Sequence, residues 1–359
     1  MRRIGRHRRK KINKIIILSA FCLLFVITAG YAAFSTNIQL HVKGNILEGT
    51  RVIQAWDSNS QTDFHSDFYK QNIVSITFLN NNNVPENAVG SWNVSEDKEK
   101  GTVKAWVVPS SEDSSKYDLY IGDKGKVIAN EDSSWVFYNF QNLKQINFND
   151  NFDMSMTIDM HNIFCDCWNL ETLNLNGIDT KKVTRMDALV ARCYKLKEIN
   201  LSNLDTSNVT DMSGMFQDCQ SLTNLNLGNF NTSKVTDMEG MFGRCYELDT
   251  LDLSNFDTYN VKTMKSMFLG CIKLLKLNIF SFNTSNVTNF ESMFNGCKEL
   301  ISINLCSFDT MNAKNMISMF WNTPKLTQIK VGTSWTTINV DTTNMFHNSG
   351  VSQVTTGQC

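Results

Sequence analysis

The chain has 359 residues, with 34 Lys and Arg, 35 Asp and Glu, and a formal net charge of −1. Hydrophobic residues make up 42% and aromatic residues 11%, which is enough apolar material for a core and excludes a chain disordered throughout. Three prolines and 18 glycines exclude collagen-like and proline-rich architectures. The length allows two or three domains.

Basic residues are concentrated at the N-terminus. Residues 1–14 hold eight Lys and Arg and no acid, and residues 15–34 carry no charge. From residue 35 onward 26 basic residues face 35 acidic ones. A body with this acidic excess is a poor match for phosphate backbones, so we expect no nucleic-acid binding.

The uncharged residues 15–34 are long enough to cross a bilayer as a helix. Basic residues before this segment place the N-terminus in the cytoplasm and the rest of the chain outside. The sequence therefore predicts an N-terminal membrane helix, either a retained anchor or a cleaved signal peptide, and export of the body. The expected location is the cell surface, with the chain membrane-anchored through residues 15–34 or secreted.

Two regions separate this segment from the rest. Residues 35–68 are polar and weakly patterned, and we expect a linker there. Residues 69–136 contain short alternating runs typical of strands, at 73–78, 103–108 and 117–121. We expect a small β-rich cap, because the ends of stacked repeats need to be covered.

A 26-residue period dominates residues 137–352, and a tail follows at 353–359. Seven full units lie between 152 and 333, with partial units at both ends. Phenylalanine recurs on one register that only Val190 interrupts: Phe164, Phe216, Phe242, Phe268, Phe294, Phe320 and Phe346. Cysteine follows three residues later: Cys167, Cys193, Cys219, Cys245, Cys271 and Cys297. Such a period indicates stacked or tandem units.

Each unit divides into two predicted elements. Between Val209 and Cys219, apolar residues spaced by three, four and three trace one face of a short helix. Residues 205–207 supply side-chain oxygens for its first turn. The leucines of 222–227 end in the alternation of a half-buried strand. The predicted fold class is an α/β solenoid, a leucine-rich-repeat-like right-handed coil with an N-terminal membrane helix and a small β-rich cap.

The segment 208–216 (NVTDMSGMF), followed by Cys219 and the strand leucines, resembles the 26-residue repeat of BspA-like leucine-rich-repeat surface proteins. Residues 105–106 and 119–122 resemble the segment that often precedes such repeats. The resemblance implies an exported surface protein that binds a host matrix or cell-surface protein, a glycan or another microbe. It does not imply an enzyme, and it supplies no ligand-contacting residues.

The cysteine register allows three interpretations: a metal site, disulfides between units, or free thiols that fill an apolar slot in each unit. The spacing favours free thiols, and the recurring methionines favour core packing over a metal or haem site. Cys306 and Cys359 lie off the register and are the expected exposed thiols. We expect no catalytic residues, metal or cofactor, since no catalytic or nucleotide-binding motif is found.

Polar side chains alternate with the strand leucines and are predicted to project outward. They form either a solvated face with stacked amides or a ligand face that hydrogen-bonds an extended peptide or glycan. The candidate residues are Asn174, Asn200, Asn224, Asn226, Asp252, Asn278 and Asn304. The predicted function is a surface binding and adhesion protein, and the alternative is a structural or self-assembling envelope protein without a host ligand.

Overall fold

The structure, a computed structural model, describes residues 51–57, 62–356 and 359, which belong to one compact unit. Its described part contains one α-helix, α1 (Asp67–Lys70), which begins where the Ser66 hydroxyl accepts the N–H of Tyr69. Strands and turns form the remainder. The strands are β1 (Ile73–Leu79), β2 (Gly90–Asn93), β3 (Lys104–Pro109), β4 (Tyr117–Gly122), β5 (Val127–Ile128), β6 (Gln145–Asn147), β7 (Phe152–Asp153), β8 (Thr172–Asn174), β9 (Glu198–Asn200), β10 (Thr250–Asp252), β11 (Lys276–Asn278), β12 (Ser302–Leu305), β13 (Gln328–Val331) and β14 (Thr355–Thr356).

The N-terminal strands form a five-stranded sheet in the order β2-β3-β4-β1-β6. The β2–β3 and β3–β4 pairs are antiparallel, whereas β1 runs parallel to both β4 and β6. Because β6 belongs to the first partial repeat, the N-terminal strands and the repeats share a sheet. Ile53 and Phe64, in the stretch predicted as a linker, are fully buried in this core.

The strands of the repeats pair in parallel with residues 26 positions apart, such as Leu251 with Leu277 and Ile303 with Ile329. They form three separate small sheets, β8-β9, β10-β11 and β12-β13-β14. Residues 224–226 occupy the equivalent position in their own repeat but form no strand. The strand face is therefore interrupted between β9 and β10, and again between β11 and β12.

The main connection between repeats lies in the turn segment, where the helix was predicted. Backbone N–H groups there donate to the next repeat: Met212 to Asp237 O (3.1 Å), Gly214 to Glu239 O (2.7 Å), Phe216 to Met241 O (2.9 Å) and Asp218 to Gly243 O (2.7 Å). The same four bonds recur at the neighbouring junctions. Parallel bridges, such as Asp211 with Asp237, continue this pairing from Asp132 to Asp341.

The predicted fold class, an α/β solenoid of leucine-rich-repeat type, is wrong. The described residues are almost entirely strand and turn, with small separate sheets and only the four residues of α1 in an α-helix. Gly214 and Asp218 have φ of 58° and 61°, and the equivalent residues of other repeats are also left-handed. A right-handed helix cannot include such residues, and here the N–H groups bond to the next repeat instead of four residues back.

The prediction of a transmembrane helix is also corrected for the part of the chain that the structure describes. None of the helices in the described ranges has the length and apolar character needed to cross a membrane. The predicted membrane helix, residues 15–34, lies outside the described residues.

The interior of the stack consists of aligned columns of like residues. The phenylalanine rings stack nearly parallel, with centroids 5.8 Å apart for Phe216 and Phe242, 5.6 Å for Phe242 and Phe268, and 5.4 Å for Phe294 and Phe320. Val190 takes the place of one ring and is buried. Aligned apolar side chains bury each repeat against the next, which a single repeat cannot do alone.

The register cysteines are free and buried beside the phenylalanine column. Each Sγ lies within hydrogen-bond reach of a carbonyl in the preceding repeat; for example, Cys245 donates to Phe216 O (3.2 Å). The off-register pair differs from its prediction, because Cys306 and Cys359 are joined in a disulfide instead of being exposed thiols. Their Cα atoms lie 5.7 Å apart, since β14 pairs with β13 and brings the C-terminus back to the strand face.

Candidate ligand-binding face

The predicted ligand-face residues lie on the outer side of the strand face. In the three-residue strands β8 to β11 the middle apolar residue points inward and its neighbours point outward, as Leu251 does between Thr250 and Asp252. Among the seven candidates Asn278 is half-buried and the others are exposed: Asn174, Asn200, Asn224, Asn226, Asp252 and Asn304.

Most of these side chains also form a turn with the backbone that follows them. The Asn226 Oδ1 accepts the Gly228 N–H at 3.1 Å, the Asp252 Oδ1 accepts the Ser254 N–H at 3.0 Å, and the Asn304 Oδ1 accepts the Cys306 N–H at 3.0 Å. This bond to the residue two positions later is the Asx turn that Asn and Asp favour. The amide nitrogens of Asn226 and Asn304 are left to face outward.

Asn278 is the exception to this pattern. Asn278 pairs with Asp252 of the preceding repeat in the parallel register of β10 and β11. The pKa of Asp252 lies below its usual value, first because the Ser254 N–H donates to it and further because of the Ser254 hydroxyl and the Asn278 amide. Asp252 is therefore ionised at neutral pH.

An open groove of about 810 Å³ lies where the strand pairing is interrupted. It includes five of the seven predicted residues and leaves out Asn174 and Asn200, which lie nearer the N-terminus of the stack. The lining residues are Asn224, Leu225, Asn226, Leu227, Gly228, Thr250, Leu251, Asp252, Ser254, Asn255, Leu275, Lys276, Leu277, Asn278, Ser302 and Asn304. The structure thus gathers part of the predicted face into one site.

Asn255 and Leu275 are among the lining residues that were not predicted as site residues from the sequence. Asn255 fixes the backbone at one side of the groove, because its Nδ2 donates to Leu227 O (3.0 Å) and Phe230 O (3.1 Å). Leu275 forms an apolar wall and is 45% exposed. A signal existed for both: asparagine recurs 26 residues before Asn255, and an apolar residue replaces Asp249 in the Leu275 register.

The groove carries little net charge. Asp252 and Lys276 are its only ionisable lining residues, and their charges are opposite. A second cavity of about 580 Å³ on the N-terminal sheet is richer in charge, but Lys144 and Glu112 there form an ion pair at 2.7 Å. Across the described ranges, no group of three or more His, Cys, Asp or Glu could hold a metal ion.

Comparison with known proteins identifies a family whose function is unknown. Residues 131–250 and 245–356 match the family described as Mycoplasma protein of unknown function, DUF285. These matches cover more than half of the chain, which therefore belongs to this family. This family, and not a leucine-rich-repeat family, is what the comparison identifies. No curated protein and no solved structure matches the chain.

Proposed function

We propose that this chain is an exported binding protein displayed at the cell surface, and that the strand-face groove holds its ligand, a protein or a glycan. The groove carries the proposal, because it gathers Asn224, Asn226, Asp252, Asn278 and Asn304 into one concave site. Ligand sites are typically concave, with a few polar groups that fix orientation. The resemblance of the repeat to BspA-like surface proteins supports the same function, which is binding and not catalysis.

The disulfide between Cys306 and Cys359 supports the proposed location. Disulfides form and persist in oxidising compartments and are rare in the cytosol. The basic and then apolar N-terminal sequence independently favours export. The proposed location is therefore outside the membrane, with the chain either attached at its N-terminus or secreted.

A conservative double substitution tests the groove. In Asn226→Asp with Asn304→Asp, the oxygens that form the turns remain, but each amide donor is replaced by a charged acceptor. We expect the purified full-length chain to lose about tenfold or more in affinity for any bound glycan or matrix protein, because two hydrogen bonds of about 1 kcal/mol each are lost. The melting temperature should stay the same.

The matched control is Asn174→Asp with Asn200→Asp, which changes the same register outside the groove. Glycan arrays and immobilised matrix proteins supply the ligands, and we expect the control to bind like the unaltered chain. Equal affinity of both double variants would remove the groove from consideration. Concentration-dependent oligomers in light scattering, without any ligand, would favour the alternative of a self-assembling envelope protein.

A further inference from the structure

The chemical groups that face the groove suit a neutral polyol. The amides of Asn226 and Asn304 offer donors, the second carboxylate oxygen of Asp252 offers an acceptor, and the Thr250 and Ser302 hydroxyls offer both. With one carboxylate and one lysine ammonium, the groove has no single-sign field that would attract a charged polymer.

Apolar side chains occur beside these polar groups where other repeats lack them. Leu275 and Ile301 are 45% and 52% exposed at equivalent positions of two neighbouring repeats, before β11 and β12. Phe280, after β11, is 63% exposed in a register that holds Ser254 and Gly332 in other repeats. Pyranose rings present apolar C–H faces as well as hydroxyls, so they can pack on such side chains while hydrogen-bonding the groove.

The spacing of the repeats discriminates between ligand classes. Paired strands lie about 4.8 Å apart, and stacked phenylalanine rings lie 5.4 to 5.8 Å apart. An extended peptide repeats its side-chain direction only every two residues, or about 6.6 Å, so it falls out of register along the stack. A chain of β-1,4-linked pyranose units advances by about one strand spacing per sugar, so each sugar stays opposite one repeat. Its sugars alternate in orientation, and the same orientation therefore recurs at every second repeat.

We propose that the groove binds an uncharged, linear, β-linked glycan that lies along the stack of repeats, with one sugar on each repeat. This inference rests on the proposed function, because it assigns a ligand class to the same groove. The groove extends over four successive repeats, from Asn224 to Asn304, and therefore accommodates about four sugars.

Calorimetric titration of the full-length chain tests this assignment. The probes are β-1,4-linked oligomers of glucose and of N-acetylglucosamine, from disaccharide to hexasaccharide. The matched control probes are α-1,4-linked glucose oligomers, which have the same sugar but a coiled chain. We expect affinity for at least one β-linked series to rise with each sugar up to about four and then level off, because later sugars pass beyond the groove.

The asparagine variants separate the two proposals. Asn226→Asp with Asn304→Asp should weaken β-glycan binding about tenfold, and Asn174→Asp with Asn200→Asp should leave it unchanged. Failure of both β-linked series to bind, or equal binding of the α-linked series, overturns the glycan assignment. If a matrix protein still binds and only the groove variant weakens it, the proposed function survives. If no ligand responds to the groove variant, both proposals fail.

Discussion

In most repeats one buried threonine joins its repeat to the next by a pair of hydrogen bonds. Thr258 Oγ1 donates to Asn283 O at 2.9 Å and accepts the Asn283 N–H at 2.8 Å. The threonines of this register are all buried: Thr180, Thr206, Thr232, Thr258, Thr284 and Thr310. The sequence predicts a helix-capping role for residues 205–207, but the Thr206 hydroxyl connects to the following repeat at Asn231.

Replacing the Thr258 hydroxyl should destabilise the folded chain. Thr258→Val keeps the shape of the side chain but leaves the N–H and carbonyl of Asn283 without a partner. We expect the free energy of unfolding to fall by about 3 kcal/mol, because each buried unsatisfied group costs about 1–3 kcal/mol. Chemical denaturation measures the change.

Two control variants accompany Thr258→Val. Thr258→Ser keeps the hydroxyl and should lose clearly less stability, while Thr223→Val changes an exposed threonine and should stay within about 0.5 kcal/mol of the unaltered chain. Equal losses in the valine and serine variants at position 258 would show that the hydroxyl contributes little.

The buried thiols make stability depend on pH. Burial raises the pKa of Cys271 from 9.0 to about 12, and its Sγ donates to Phe242 O at 3.1 Å. The folded thiol therefore stays protonated at pH values where the unfolded thiol ionises. Because the unfolded state then binds fewer protons, the stability from this group is complete below about pH 9 and is lost as pH rises towards 12.

We expect Cys271→Ala to flatten this dependence. Above pH 9 the free energy of unfolding falls with pH in both chains, and the slope of the variant should be shallower than that of the unaltered chain by about 1.4 kcal/mol per pH unit. Denaturation curves at several pH values between 7 and 11 measure the slope, and the data below pH 8 supply the constant cost of the lost side chain. An unchanged slope would mean that this thiol is already ionised or accessible in the folded chain.

At the scale of the elements, the sequence predicts the strands better than the turns. The alternation of leucine and polar residues correctly indicates which residues of β10 and β11 point inward. The spacing from Val209 to Cys219 also identifies buried residues, but it does not reveal the backbone conformation. The helix prediction failed because Ala188 and Arg192, which rarely adopt positive φ, are left-handed here.

The candidate site was predictable only in part. Exposure of Asn226 and Asn304 follows from the strand alternation. The groove depends on the missing strand at 224–226, and those residues share the alternating pattern of repeats that do form strands. The turn formed by the Asn226 side chain was likewise not foreseen, because a strand-face asparagine can serve a ligand or a turn equally well.

The positive φ of Ala188 in the turn segment can be tested by substitution. Ala188 has φ of 51°, where a Cβ costs roughly 1–2 kcal/mol and glycine is free of this cost. We expect Ala188→Gly to raise the free energy of unfolding by about 1 kcal/mol, and Ala188→Asn to raise it less. Asparagine already occupies the equivalent positions 162 and 344 with positive φ.

The contrasting variant is Ala313→Gly, at a buried alanine outside the set of positive-φ residues. Its free energy of unfolding should fall by about 1 kcal/mol, because glycine gains conformational freedom mainly in the unfolded chain. The denaturation midpoints of Ala188→Gly, Ala188→Asn and Ala313→Gly measure these changes in stability. Destabilisation by Ala188→Gly as large as that by Ala313→Gly would contradict the left-handed turn.

At the scale of the whole molecule, the two ends of the stack are closed differently. At the N-terminal end, His65 Nε2 donates to Val136 O at 3.0 Å, and His65 Nδ1 lies 3.0 Å from Asp63 Oδ1. Burial acts to raise the pKa of Asp63, but hydrogen bonds from His65 and Gln54 outweigh it and lower the pKa. At the last repeats, β14 pairs with β13 and the disulfide fixes the tail.

The disulfide should therefore stabilise the C-terminal repeats selectively. It joins residues 53 positions apart, and closing a loop of this size is worth about 4 kcal/mol in the chain-entropy account. Because each repeat contacts only its neighbours, the loss of the disulfide should act mainly on β12, β13 and β14. We expect Cys359→Ser to speed hydrogen exchange in residues 328–356 and to leave residues 160–250 unchanged.

Mass spectrometry of exchanged peptides makes this measurement on the full-length chain. The oxidised chain treated with a thiol reductant should reproduce the pattern of Cys359→Ser, and the reductant should add nothing to the variant itself. Reduction also leaves the register thiols buried and free, so any effect traces to the bond between Cys306 and Cys359. Faster exchange spread evenly over all repeats would show that the C-terminal closure holds the whole stack together and not its last units alone.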